Sequence, residues 1–487
     1  MAIEVLIGID IGSTNIKCIA IEPYGGYIKL SSISTNKNMG AWPEAIVLFN
    51  RVCEAIQAVI GDLPSGTKIL GVAASSVGCM ALCLDHSGSQ IIIDSETGHI
   101  DMPQDCMEVT GYSSNYHNAG ALLANAKDKL INTAHVMSVA DYIAYRLSGV
   151  FARDLSTAGS MSMYDRRTGK WWDRFKELSG LSDSVLGEAY PSGTHIGAIT
   201  QEAEGQTGIP KGVPVSLGGH DYLCAAFALG CVNEGSFFNV LGTFEMAASF
   251  SRSPVRILPG VQVFSDYHCY PERFTLTCES LAGGQLEWLR NNTRNGNRQD
   301  YWEYIFRQIE SLQPSFEGGG NELFLPRIFG EFFPTRNNKV HGGFIGLTSD
   351  SDEAHIIRAA IEGLCMISRN MFTFIGADRT DTITVAGGGS RQKVWIKTKA
   401  DVLGCPIKVP QVPEAAASGA ALLAGVGAGI YTSYEEASKV FSEAPNLEYY
   451  PSTERTKIYD QIYQEIFLPM LEITSKYDVI NNTISGG

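Results

Sequence analysis

Asp10-Ile11-Gly12-Ser13-Thr14-Asn15-Ile16-Lys17 decides how this chain is read. It separates two apolar runs, Ile3 to Ile9 and Ile16 to Ile21, the second broken only by Lys17. Two β-branched runs joined by a short Gly/Ser/Thr turn predict a hairpin. The segment is not a P-loop, which passes from strand into helix and carries its lysine in a different pattern. Gly12 lets backbone amides approach a phosphate, Ser13 and Thr14 add hydroxyl donors, and Lys17 supplies a point charge. Asp10, ending a buried strand, suits a Mg²⁺ shell held through water. An ordinary hairpin turn with a solvated lysine is the competing reading.

Outward from this hairpin, Pro43 opens a predicted helix over Trp42 to Ile60, with Ile46, Phe49, Val52, Ile56, Val59 and Ile60 inward. Ile69 to Leu84 reads as buried strands around a Ser/Gly turn. Far downstream, Phe237 to Leu241 leads through Gly242-Thr243 into Phe244 to Phe250. That repeats strand, Gly/Thr turn, strand, and places a second phosphate turn at Gly242 and Thr243. Duplicated halves that face each other make a cleft where small ligands bind. Asp352 to Phe372 is helical, Thr382 to Ala386 is a strand, and Gly387-Gly388-Gly389-Ser390 opens a helix with Val394, Trp395, Thr398 and Val402 inward. Thr456 to Ile473 is a last helix, kinked at Pro469. Strands alternating with helices make the class α/β. The boundary falls at Gly230 to Ser236, giving domains 1–233 and 234–487.

Two further segments carry chemistry. Gly218-Gly219-His220-Asp221 ends a hydrophobic approach, so the Asp221 carboxylate projects where substrate can come close, the position of a general base. Asp221 as the N-cap of the next helix is the plain alternative. His220 reads as a structural or substrate-contacting residue, not a metal ligand. The glycine run at 387–389 lets a flat ring or a phosphate lie on the backbone at a helix start. Lys393, just past it, is within reach of a nucleotide or is simply solvated. Glu362 reads as a helix acid paired with a basic neighbour.

Composition bounds the partners. The 487 residues carry 37 Lys and Arg against 52 Asp and Glu, so 37 − 52 = −15. At roughly 150 residues per domain this length holds two to four folding units. The charge excludes general affinity for nucleic acid or an anionic membrane, so any phosphate must be bound by local groups. Eleven cysteines, an odd number without a CxxC, point to a reduced chain. Glu4 and Asp10 break the first apolar run, which does not read as a signal peptide, and Ala415 to Tyr431 reads as a packed helix and turn. A cytoplasmic protein is expected.

The order and spacing of these segments resemble the FGGY family of carbohydrate kinases, of the hexokinase, actin and heat-shock chaperone ATPase superfamily. The likeness also rests on Asp141 to Gly149, His195-Ile196-Gly197, Gly212 to Val215, Ala282-Gly283-Gly284 before Trp288, Gly330-Glu331, Arg358 to Gly363, Ala400-Asp401, and Glu414 before Gly419-Ala420-Ala421. The resemblance implies two actin-like (ribonuclease H-like) domains around a central cleft. It implies ATP-dependent phosphorylation of a sugar or polyol with Mg²⁺, and by analogy a homodimer. It puts Asp221 on the catalytic base and Asp10 on the Mg²⁺-associated acid. Ser13, Thr14, Lys17, Gly242 and Thr243 fall on the phosphate turns, and Gly283, Gly388, Gly389 and Ser390 on nucleotide contacts.

The acceptor side departs from the family. Where xylulokinase-like members carry Gly-Gln-Met-His-Gly, this chain has Ser76-Val77-Gly78-Cys79-Met80. Where they carry Trp-x-Asp-x-Arg, it has Thr97-Gly98-His99-Ile100-Asp101, and a common Gln is Lys397. Gly78, Cys79, His99 and His220 are therefore expected to line a rewritten sugar pocket. A pentulose of the xylulose type is the expected acceptor. A non-catalytic sensor built on the same cleft is the rival reading, and an acetate-kinase or chaperone-type ATPase branch is disfavoured by the Gly/Pro-rich approach to Asp221.

Overall fold

A computed structural model describes residues 3–35, 43–93, 98–116, 118–257, 260–315, 320–441 and 444–485. Both predicted hairpins form. Glu4–Ile11 pairs antiparallel with Asn15–Ile21, and Phe237–Leu241 with Phe244–Ser251. Each hairpin nucleates a sheet, and the two sheets share one plan. In the first, Tyr27–Ser34, Asn15–Ile21 and Glu4–Ile11 form an antiparallel meander. Lys68–Ser76 and Pro214–Ser216 then add parallel strands, and His195–Ala198 closes antiparallel. In the second, Phe274–Leu281, Phe244–Ser251 and Phe237–Leu241 form the meander. Ile383–Ala386 and Ile407–Pro410 add in parallel, and Asn446–Tyr449 closes antiparallel. The Gly/Thr hairpin is thus the visible part of a whole repeated sheet.

Helices cover these sheets. The first long helix spans Ala45–Gly61, and Trp42 of the predicted span lies outside the described residues. Leu48, Phe49, Val52, Ile56 and Val59 are buried. Ile46 is exposed and Ile60 half-buried, so the apolar stripe is narrower than the sequence suggests. Glu353–Phe374 and Lys393–Leu403 form as expected in the second half. On the latter, Trp395 and Val402 are buried, Val394 and Thr398 only partly, and Lys399 is fully buried. The expected kink at Pro469 takes a different form. A π-helical stretch, Ile462–Phe467, precedes Leu468–Ser485, and this wider turn accommodates the proline's missing N–H.

A third apolar cluster joins the halves. It combines Leu6 and Ala73 of the first sheet, Phe238 and Ala248 of the second, and the helices Asp221–Ala228 and Ala415–Gly427. The Ala/Gly-rich stretch expected to be a packed helix is that second helix, buried from Ala417 to Gly425. It belongs to the later half of the chain yet lies on the first sheet, in contact with Glu4–Ile11 and Lys68–Ser76. None of the eleven cysteines is in a disulfide. Among the described residues no helix is long and apolar enough to cross a membrane.

Candidate active site

The strand ends converge. Asp10 lies opposite Lys17 on one neighbouring strand and beside Ser75 on the other. Gly219 and His220 pair with Ser75 and Ser76, so Asp221 begins its helix at the same edge as Asp10. Ser75 Oγ donates to Asp10 Oδ1 at 3.1 Å. Burial, then the Asp221 carboxylate, pushes the Asp10 carboxyl up to about 7, with Glu414 adding to the rise and Lys17 and Ser75 opposing it.

Asp221 is the first residue of the helix Asp221–Ala228, and His220 is the N-cap. The Asp221 carboxylate accepts the adjacent Tyr222 N–H, at 2.7 Å. The N-cap position itself is held by His220, so Asp221 is not the N-cap of this helix. Nε2 of His220 stands 3.5 Å from Asp221 Oδ1. Nδ1 of His220 is buried with no hydrogen-bond partner among the described residues. It faces Gly78, where an added Cβ would lie 2.4 Å from that nitrogen and 2.5 Å from Ser160 Oγ. Gly78 thus leaves room for the ring by having no side chain.

Cys79 belongs to the same wall. Burial, then the Glu279 and Asp221 carboxylates, pushes its thiol up to about 12. Glu279 comes from the second sheet, where it pairs with Met246. Burial raises its carboxyl, while Arg336 and a hydrogen bond from Tyr116 pull it back. The sequence reading passed over Glu279, although an acid near the end of Phe274–Leu281, just before Ala282-Gly283-Gly284, was a visible signal. His99 is exposed, and the neighbouring Ile100 N–H donates to the Ala121 carbonyl at 3.4 Å. Thr97 of that segment lies outside the described residues.

Two buried acids hold the segment around Asp221 in place. Asp266 accepts from Tyr112 and Tyr222 hydroxyls at 2.6 and 2.8 Å, which anchors the helix that begins at Asp221. Asp154 accepts from Ser156 and Ser192 hydroxyls, each at 2.5 Å, and Ser156 Oγ accepts the His220 N–H at 2.9 Å. Neither acid stands in a local motif that announces it. Burial, then the Asp141 charge, pushes the Asp154 carboxyl up to about 7. The folded chain therefore keeps a proton that the unfolded chain releases above the ordinary carboxylate range. Stability contributed by this proton falls as pH rises from about 4 to 7. Asp154→Asn, neutral throughout, should flatten that fall in urea unfolding at pH 5 and pH 7. An unchanged slope would remove Asp154 from this account.

The second hairpin carries the other turn of this kind. Gly242 and Thr243 carbonyls accept the amides of Gly283 and Gly284, each at 3.0 Å, seating the turn on the helix Gly283–Asn291. Ile383–Ala386 runs parallel to Phe237–Leu241, so the glycine run emerges beside this turn. Gly387 has φ +93°, and a Cβ there would lie 2.7 Å from the Leu241 carbonyl, which only glycine accommodates. Gly388 is exposed, and Ser390 Oγ donates to the Gly387 carbonyl at 2.7 Å. Thr243, Gly283, Gly284, Trp288 and Phe329 line a cavity of about 460 Å³. Exposed faces of Trp288 and Phe329 suit a flat ring. Lys393 is not in this cavity; with Arg358, Glu362 and Lys397 it lines another, of about 340 Å³. Glu362 has a basic neighbour, Arg358, at 3.9 Å, and accepts from Ser315 N–H and Tyr459 hydroxyl. Lys17 is not simply solvated: its side chain is partly exposed, and its Nζ meets Glu414 Oε2 at 2.6 Å.

Two Gly/Thr-type hairpin turns thus stand on two sheets of one plan, with Asp10 and Asp221 at one edge of the first sheet. Models of the FGGY family of carbohydrate kinases match residues 121–228, as its N-terminal domain, and 239–428, as its C-terminal domain. A xylulose kinase of Staphylococcus epidermidis is 24% identical over 513 residues, covering 99% of this chain and all of that one. The L-fuculokinase of Escherichia coli is 25% identical and covers 93% and 98%. The crystal structure of xylulose kinase from Rhodospirillum rubrum superposes with a TM-score of 0.82 at 21% identity, covering 97% of this chain and 99% of that one. Its fold is the two-domain, actin-like α/β fold around a cleft, and this chain has the same fold. With repeated sheets, paired turns and matched domains in agreement, the chain belongs to the FGGY family of carbohydrate kinases.

Proposed function

We propose that this kinase transfers the γ-phosphoryl group of ATP to a hydroxyl of a small ketose, a pentulose of the xylulose type, with Asp221 as general base. One observation carries the reading: the half-exposed Asp221 carboxylate stands 3.5 Å from Nε2 of His220, a buried ring whose Nδ1 has no hydrogen-bond partner among the described residues. A polyhydroxylated acceptor would give that nitrogen its partner while presenting another hydroxyl to Asp221. The xylulose kinase relative, alignable along both whole chains, supports the acceptor class. We assign the acceptor side and the base to residues 1–233 and the nucleotide side to 234–487, with Glu279 reaching across.

Asp221 would take the hydroxyl proton, the freed oxygen would attack the γ-phosphorus, and ADP would leave. Little covalent work falls to the protein beyond positioning and charge neutralisation. The turns at Gly12-Ser13-Thr14 and Gly242-Thr243 would hold the phosphates, and the cavity beside Trp288 the base. Mg²⁺ fits the donors present. Burial, then the Asp221 charge and to a lesser extent the Glu414 charge, raises the Asp10 carboxyl, and a divalent cation beside it would offset this. Among the described residues no group of three or more His, Cys, Asp or Glu could hold a metal. Mg²⁺ binds one or two carboxylates and takes its remaining ligands from water and phosphate. When bound it would neutralise phosphate charge, and Asp10 is the residue to hold it.

The test is a panel of pentuloses, hexuloses, aldoses and polyols with Mg²⁺ and ATP, read by ADP release. Turnover should be highest on a pentulose. Turnover confined to aldoses or polyols would reject the ketose assignment.

A further inference from the structure

Lys17 is the single cation of the first turn, and it is already engaged. Its partner Glu414 lies 397 positions away, just before the helix Ala415–Gly427. The same carboxylate stands 3.6 Å from Arg391, at the end of the glycine run. Glu414 therefore sits between the cations of the two segments assigned to phosphate and nucleotide. Its backbone is unusual: φ is +39° and ψ +70°, a left-handed conformation rare for a residue with a side chain. The carboxylate makes no bond to the amides of the helix that it precedes, although acids at that position commonly do. A strained backbone and an unused capping role both leave the side chain directed at Lys17.

We propose that Glu414 is a charge latch that competes with nucleotide phosphates for Lys17 and Arg391. The inference rests on the nucleotide reading above. For triphosphate to reach Lys17, the 2.6 Å ion pair must open, so each bound nucleotide carries the cost of breaking it. The latch sets nucleotide affinity without touching substrate, which makes Glu414 a positioning residue. It also gives release of ADP a driving force, because Lys17 has a second partner waiting.

Glu414→Gln keeps size and backbone and removes the charge. Calorimetry with ATP, inorganic tripolyphosphate and adenosine reads the consequence. ATP and tripolyphosphate should bind about three- to tenfold more tightly to the variant, as expected for loss of a partly exposed competing pair. Adenosine should bind equally to both proteins, because it carries no phosphate. A merely structural role would change all three ligands together and lower thermal stability. Unchanged or weaker ATP binding by Glu414→Gln, with wild-type binding intact, would overturn the latch alone. Failure of the wild-type chain to bind ATP would overturn the nucleotide reading and the latch with it.

Discussion

Asp221→Asn should lower kcat by about 10³- to 10⁴-fold while leaving ATP affinity within about twofold of wild type. Asparagine has nearly the shape of aspartate, and its side-chain oxygen can still accept the Tyr222 N–H. The fold should therefore survive, since the helix start relies on no cap from this residue. What is lost is the ability to take a proton from the acceptor hydroxyl. The loss should fall on kcat and on kcat/KM equally, because the base acts only as charge develops in the transition state. Single-turnover phosphorylation and ATP titration by calorimetry separate the two effects. If turnover stays within tenfold of wild type while ATP still binds, another group must be the base. Glu279 would then be the first alternative, since both acids act on Cys79.

Local chemistry was legible in the chain, and long-range pairing was not. Both hairpins could be read because each is a short local stretch, Glu4 to Ile21 and Phe237 to Ser251, and its turn residues are constrained by backbone geometry. That the hairpins seed two sheets of the same plan could not be read, because Phe237 meets Ile383 across 146 positions (383 − 237). The same division runs through the site. Asp10, Asp221 and the Gly/Thr turns stand in self-announcing local patterns. Glu279, Asp154 and Asp266 act through partners brought by distant elements. Glu414 was visible as part of a motif, but its bond to Lys17 was not. Ile46 and Lys399 show the same limit in the core. Helical periodicity places a face only approximately, and the neighbours decide which edge of the stripe is covered. Lys399 did leave a trace. It lies four residues after Trp395 and three before Val402, on the inner face, where a charge demands a buried partner.

That partner makes Lys399→Met the substitution with the largest expected effect on stability. Lys399 Nζ bonds Glu245, and also Ser368 Oγ at 2.5 Å, with both charged side chains almost wholly excluded from water. Ser368 Oγ donates to Glu245 at 2.6 Å, and Asn239 Nδ2 at 3.1 Å. Methionine would fill the lysine's volume but leave the Glu245 carboxylate with neutral donors alone. Removing one member of a buried pair costs about 3–5 kcal/mol, mainly from the uncompensated charge that stays behind. Chemical denaturation should show this loss for Lys399→Met. The double variant Lys399→Met/Glu245→Gln should recover most of it, since no buried charge then lacks a partner. The network also reaches function. Glu245 follows Thr243 by two positions in the strand that leaves the Gly242-Thr243 turn, and Lys399 ties that strand to the helix after the glycine run. Residual folded Lys399→Met should therefore show a raised KM for ATP, with the acceptor KM little changed. A variant as stable as wild type would mean that Glu245 is held by its neutral donors, and that the pair serves neither stability nor the turn.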